Sequence, residues 1–174
     1  MRSTITKKSD LARHLLSIAI LATFLSSCAA HTLTVKKVID GDTVTLSDGR
    51  KVRLIGVDTP ESRPNGKAIH DSKKGMVKLK TILFLGSRAS AFTKQKALHQ
   101  AVKVEYDHER KDKYGRTLAY LRFSDGSLLN ETIIREGFGC AYRKFDFIYK
   151  ERFISVESEA RAQKRGLWPK LSCP

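Results

Sequence analysis

Three short runs of β-branched and aliphatic residues, separated by turn signals, do most to restrict the fold of this chain. Thr32 to Ile39 (TLTVKKVI) is rich in β-branched residues and predicts a strand. Gly41 breaks it, and Thr43 to Leu46 (TVTL) predicts a second strand. Asp48-Gly49 is a two-residue turn of the kind that closes a hairpin. Lys51 to Val57 (KVRLIGV) then predicts a third strand, with apolar positions alternating with others. Three strands in meander order, joined by tight turns, point to an antiparallel sheet or a barrel.

The rest of the chain supplies two more strands and a set of helices, with no internal repeat. Ser62 to Leu85 carries six Lys/Arg against one acidic residue, Asp71. It begins as a loop at Pro64-Asn65-Gly66, and its second half, Met76 to Leu85, is apolar enough for either a short strand or a helix. Ser87 to Gln100 predicts a helix with Ala89, Phe92, Ala97 and Leu98 on its buried face. Ala101 to Tyr106 predicts a fourth strand, Lys113-Tyr114-Gly115 a turn, and Thr117 to Phe123 a fifth strand. Ser127 is placed to cap a helix running to Glu136 and stopped by Gly137. Tyr149 to Lys164 predicts a longer, highly charged amphipathic helix closed by Gly166. The expected class is α+β with a mainly β core: a five-stranded OB-type Greek-key barrel with about three helices. Such barrels also serve as passive binders, so function has to be argued from the site.

The first 27 residues read as a segment to be removed. Arg2, Lys7, Lys8 and Arg13 form a basic leader, and Leu15 to Leu25 is an apolar run too short for a membrane span of about 20 residues. The run ends in Leu25-Ser26-Ser27-Cys28, which resembles a bacterial lipobox with Cys28 as the lipidated residue. Ordinary cleavage after Ala29 or Ala30 is the alternative. The expected organisation is an export signal over 1–27 and one domain over 28–174. The product would face the outside of the cytoplasm, held to a membrane through lipid at Cys28.

The chain has 33 Lys/Arg, 18 Asp/Glu and a formal charge of +15. Residues 1–27 account for four of the basic residues and one acidic residue, so 29 against 17 remain, an excess of +12 on the domain itself. A surplus this basic favours a polyanionic partner. A hydrophobic share of 41% is too high for a disordered chain and sufficient for a core. Cys140 and Cys173 are left after the leader; in an oxidising compartment they could pair, or remain as two thiols.

Three segments carry chemistry together: Ile39-Asp40-Gly41-Asp42-Thr43-Val44, Arg53 to Glu61 (RLIGVDTPE), and Asp112-Lys113-Tyr114-Gly115-Arg116. Asp42 and Asp58 each stand at a strand end beside a turn, where hard oxygens can share a calcium or magnesium ion. Glu61 follows Asp58 by three residues, beyond a proline, and suits a general base acting on water. Arg53 and Arg116 offer planar forks for phosphate oxygens. Two carboxylates, a base and two arginines form an inventory for metal-assisted phosphodiester hydrolysis. Each piece alone has a plainer reading. Asp-Gly-Asp is more often a turn than a ligand, and Asp58 or Thr59 could simply cap a helix.

At these residues the chain resembles the staphylococcal nuclease (thermonuclease) family, over roughly Thr32 to Trp168. Ala89 to Lys94, Leu118-Ala119-Tyr120, Leu129-Asn130-Glu131 and Gly166-Leu167-Trp168 support the likeness. The resemblance implies one calcium ion held by Asp42, Asp58 and the backbone carbonyl of Thr59. It implies Glu61 as the base, and Arg53 and Arg116 on the scissile phosphate. Lys113 and Tyr114 would contact a terminal phosphate, and Tyr142 would line the nucleotide pocket. The implied activity is endonucleolytic cleavage of DNA and RNA by a monomer, breaking the bond to the 5′ oxygen and leaving 3′-phosphate ends. A non-catalytic nucleic-acid-binding module at the cell envelope is the alternative on the same barrel. Two departures stand out: the segment 62–85 is longer than the corresponding family loop, and Arg88 occupies a place where the family commonly has glutamate.

Overall fold

The computed structural model describes residues 32–170 and 173; the leader at 1–27 and Cys28 lie outside the described residues. In chain order the strands are β1 (Leu33–Asp40), β2 (Thr43–Leu46), β3 (Lys51–Leu54), β4 (Val57–Asp58), β5 (Ala101–Glu105), β6 (Thr117–Arg122) and β7 (Cys140–Ala141). The helices are α1 (Gly66–Lys74), α2 (Leu79–Ala97), α3 (Leu129–Arg135) and α4 (Lys150–Ala162).

Five strands close a barrel in the order β1-β2-β3-β6-β5. The pairs β1–β2, β2–β3, β5–β6 and β1–β5 are antiparallel, and β3 lies parallel to β6. This is the expected OB-type architecture. Period-two alternation builds it: on β1, Leu33 and Val35 are buried while Thr34 and Lys36 are exposed. Val35, Val44, Leu46, Val52, Leu54, Val102 and Leu121 fill the barrel, and α3 and α4 cover it with Ile133, Ile134 and Phe153. Burying each such side chain contributes about 1.5–3 kcal/mol.

The structure corrects three expectations of detail and decides one that was open between strand and helix. The predicted third strand ends at Leu54, because Gly56 has φ +75° and turns the chain off the barrel. Beyond it, Val57 and Asp58 form β4 and pair with Ala141 and Cys140 of β7. A side chain at Gly56 would also collide with the Phe147 ring, 2.6 Å from where a Cβ would lie. Second, the segment 62–85 is irregular as far as Asn65 and mostly helical beyond it, where a longer loop start was expected. Asn65 Oδ1 accepts a hydrogen bond from the backbone N–H of Ala68 at 2.8 Å, so the turn-like Pro64-Asn65-Gly66 is the start of α1. Third, the 76–85 stretch resolves as helix from Leu79 onward, continuous with the helix expected from Ser87. Among the described residues there are four helices instead of about three. Fourth, Ser127 does not cap α3. Its hydroxyl donates to Asp125 Oδ1 at 2.6 Å within the preceding turn, and Leu128 takes the cap position without a side-chain bond.

Two links fasten the periphery. Cys140 and Cys173 are joined by a disulfide with 5.8 Å between their Cα atoms. The 33-residue separation makes that cross-link worth roughly 3–4 kcal/mol in chain entropy. Asn130, fully buried on α3, pins the barrel at its parallel seam. Its Nδ2 donates to the carbonyls of Ile55 (2.9 Å) and Ala119 (3.2 Å), and its Oδ1 accepts from the N–H of Leu121 (3.0 Å). Asn130→Ala takes the side-chain partner from the Ile55 carbonyl and the Leu121 N–H, each costing about 1–3 kcal/mol when buried and unpaired, while the Ala119 carbonyl keeps the Ile55 N–H at 3.1 Å. The expected result is a fall in unfolding free energy of roughly 3 kcal/mol or more, read from urea denaturation.

Candidate active site

The turn between β1 and β2 delivers Asp42 into the interior, where a carboxylate requires partners. Its Oδ2 accepts hydrogen bonds from Thr59 N (3.0 Å) and Thr59 Oγ1 (2.9 Å). Its Oδ1 accepts from Thr43 Oγ1 at 3.1 Å and pairs with Arg53 Nη1. Arg53 sits on β3 directly across from Thr43, and its Nη2 lies 3.4 Å from Asp58 Oδ1. Burial, the largest influence, pulls the Arg53 guanidinium below its ordinary value; nearby Asp58, Asp40 and Glu61 work against that, and Arg116 adds to it. Asp42, Asp58, Thr59 and Arg53, drawn from two of the three sequence segments, therefore meet at one end of the barrel.

Helix α2 sets Glu61 and the Asp42 turn at the same time. A Cβ at Gly86 would lie 2.2 Å from the Glu61 carbonyl oxygen, so the helix touches the backbone of Glu61 directly. Two turns further on the same face, Thr93 Oγ1 donates to the carbonyl of Gly41 at 2.7 Å. Arg88, where the resemblance leads one to expect glutamate, is exposed.

Sequence reasoning missed Asn65, Lys67 and Asp71. Asn65 Nδ2 donates to Glu61 Oε2 at 2.7 Å while its Oδ1 caps α1. Lys67 Nζ lies 3.1 Å from the Thr59 carbonyl oxygen, 3.2 Å from Asp71 Oδ2, 3.5 Å from Asp58 Oδ1 and 3.6 Å from Glu61 Oε1. Burial alone would lower the Lys67 value, but Asp58, Asp71 and Glu61 together raise it above the ordinary one. The only signal available in sequence was the four-residue Lys67–Asp71 spacing, which has meaning only once that stretch is helical.

The third segment forms a self-bonded turn. Asp112 Oδ1 accepts from the N–H groups of Tyr114 (2.9 Å) and Arg116 (3.0 Å), and its Oδ2 pairs with Arg116 Nε at 2.7 Å. The exposed Tyr114 ring has Lys113 Nζ 5.1 Å and the Arg116 guanidinium 5.5 Å from its centre. Tyr142 follows β7; its N–H donates to the Gly56 carbonyl at 2.9 Å and its ring leans on Phe145. Arg53, Asp58, Lys113, Tyr114, Arg116 and Tyr142 all line one cleft of about 900 Å³, a size suited to a small ligand or a nucleotide. Asp42, Thr59 and Glu61 do not line that cleft; Thr59 faces a smaller neighbouring cavity of about 130 Å³.

Among the described residues, no group of three or more His, Cys, Asp or Glu side chains could hold a metal ion by itself. The donor set that fits one is mixed. Asp58 Oδ1, the Thr59 carbonyl and Glu61 Oε1 already surround a single positive atom, Lys67 Nζ, and Asp42 is hydrogen-bonded to Thr59. Carboxylate and carbonyl oxygens are the ligands calcium prefers.

The family model described as "Staphylococcal nuclease homologue" matches residues 51–170. The chain therefore belongs to the staphylococcal nuclease family. It is 36% identical to a thermonuclease of Staphylococcus hyicus over 149 residues, covering 83% of this chain and 79% of that protein. It is 41% identical to a thermonuclease of Staphylococcus intermedius over 139 residues, covering 76% of this chain and 72% of that protein. An uncharacterized endonuclease of Escherichia coli O157:H7 is 30% identical over 146 residues, covering 81% and 79%. The protein is a hydrolytic nuclease.

Two outcomes follow from the site geometry. Gly86→Ala forces a methyl group against the Glu61 backbone, so cleavage rate should drop at least tenfold, with about 1–3 kcal/mol of stability lost to overpacking. Kinetics and urea denaturation of the same sample check this. Burial alone would raise the Asp112 carboxyl, but hydrogen bonds from Arg116 and Tyr114 and the Arg116 charge hold it below the ordinary carboxylate value. Its contribution to stability is therefore present above the unfolded-state value and is lost as pH falls through the lower folded one. Asp112→Asn should remove that contribution near neutral pH, so its stability should converge on wild type in acid, as measured by denaturation from pH 2 to 7.

Proposed function

We propose that this protein is a calcium-dependent endonuclease that cleaves both DNA and RNA, breaking the bond to the 5′ oxygen to leave 3′-phosphate ends. The observation that carries this is the meeting of Arg53, Asp58 and Arg116 on one cleft, with Glu61 held beside it by Asn65. Asp42, Asp58 and the Thr59 carbonyl would hold the single calcium ion. When bound, calcium supplies positive charge that offsets the negative charge gained by the attacked phosphate.

The chain's own residues do the rest. Glu61 accepts the proton of the attacking water on its carboxylate, which Asn65 orients from Oε2. Arg53 and Arg116 donate to phosphate oxygens, and removing one such preorganised donor costs about 10²–10³-fold in rate. Asp112 keeps Arg116 aimed by pairing with Nε, which leaves the terminal nitrogens for substrate. Lys113, Tyr114 and Tyr142 border the same cleft and would contact the nucleotide and its outer phosphate. The excess of +12 on the domain favours a polyanionic substrate of either sugar type.

The setting we propose is the outer side of a bacterial membrane, with the signal removed and lipid on Cys28. The disulfide between Cys140 and Cys173 supports an oxidising compartment. The proposed calcium site fits the same setting, because extracellular sites that bind at about 10⁻⁴–10⁻³ M still fill. Digestion of plasmid DNA and of RNA, with calcium, with magnesium and with chelator, tests the activity; chelator-resistant cleavage removes the calcium assignment. Glu61→Gln should lower the rate by about 10²–10⁴-fold with substrate affinity retained. Equal rates for the variant and wild type would exclude Glu61 as the base. Cys28→Ser should move the protein from the membrane fraction to the soluble one.

A further inference from the structure

The segment between Glu61 and α2 contributes more than Asn65: it also sends one cation into the centre of the site. Lys67 lies in the first turn of α1, and its Nζ is within 3.6 Å of four oxygens: the Thr59 carbonyl, Asp71 Oδ2, Asp58 Oδ1 and Glu61 Oε1. Three of those four belong to the proposed calcium ligands and the proposed base. The placement is registered by Asn65, which caps α1 and grips Glu61 with the same side chain. A swinging surface lysine would have no such fixed root.

An ammonium is a compact point charge, and it is drawn to the hard oxygens that attract calcium. The two cations cannot share the place. Calcium requires its oxygens at about 2.3–2.6 Å, and a positive group a few ångströms away repels it in a partly buried site.

We propose that Lys67 is a built-in counter-cation of the calcium site: its ammonium holds the Thr59 carbonyl, Asp58 and Glu61 together while the ion is absent, and gives way when the ion enters. This rests on the calcium reading above. Asp71, one helical turn along α1, gives the displaced ammonium a partner on its own helix. Two properties result. The site binds calcium more weakly than its oxygens alone would, and the metal-free protein is spared the mutual repulsion of Asp58 and Glu61.

Calorimetric titration of calcium into wild type, Lys67→Met and Lys67→Gln, without nucleic acid, tests the proposal, paired with thermal unfolding in chelator and in saturating calcium. Both variants should bind calcium about tenfold more tightly or better, as expected from removing a like charge at this range. Their melting temperatures should also fall in chelator and recover in calcium more than wild type does. Calcium binding of unchanged or weaker affinity in both variants overturns the role of Lys67 and leaves the calcium reading standing. Absence of binding in all three proteins overturns the calcium reading itself.

Discussion

The buried carboxylate of Asp42 is the contact on which this end of the barrel depends. Its two oxygens tie together the β1–β2 turn, the guanidinium of Arg53 on β3 and the backbone of Thr59 past β4. A buried charge without partners would cost several kcal/mol, so the surrounding chain is arranged to satisfy it. The same arrangement gathers the groups needed for chemistry. Structural demands and those of the proposed chemistry therefore fall on one set of atoms. Any ion or phosphate entering the site has to compete with pairs that already stabilise the fold.

That competition runs through two internal cations. Arg53 neutralises Asp42 and Asp58 from the barrel side, and Lys67 meets Asp58, Thr59 and Glu61 from the α1 side. Ligand binding thus becomes exchange rather than simple addition. A site made this way stays ordered when empty and yields some affinity for it. Helix α2 keeps the exchange local, since its contacts at Gly86 and Thr93 hold the backbones of Glu61 and Gly41 while side chains change partners.

The barrel strands were legible because alternation, β-branched residues and Asp48-Gly49 all pointed the same way, and local preference agreed with the fold. The departures occur where two local readings compete. Lys51 to Val57 alternates like one strand, but Gly56 takes a positive φ and hands Val57 and Asp58 to β7, some eighty residues later in sequence. Pro64-Asn65-Gly66 signals a loop and a helix start equally well, and only the bond from Ala68 to Asn65 distinguishes them. Ser127 has the chemistry of a cap, but Asp125 in the adjoining turn takes its hydroxyl first.

The catalytic inventory shows the same division. Asp42, Arg53, Asp58, Glu61 and Arg116 were expected from their joint occurrence beside strand ends and turns and from the family resemblance, and the structure brings Asp42, Arg53, Asp58 and Thr59 together. Their other partners were not expected. Lys67 reads as one more basic residue in a charged segment, and its role appears only when α1 folds back over Thr59. The pairing of Cys140 with Cys173 likewise needs β7 brought against the chain end. Sequence by itself determined what depends on neighbours along the chain: strand alternation, turn chemistry and the candidates for the reactive groups. Tertiary structure alone decided which charges face one another, because attraction between charges acts across space and takes no account of distance along the chain.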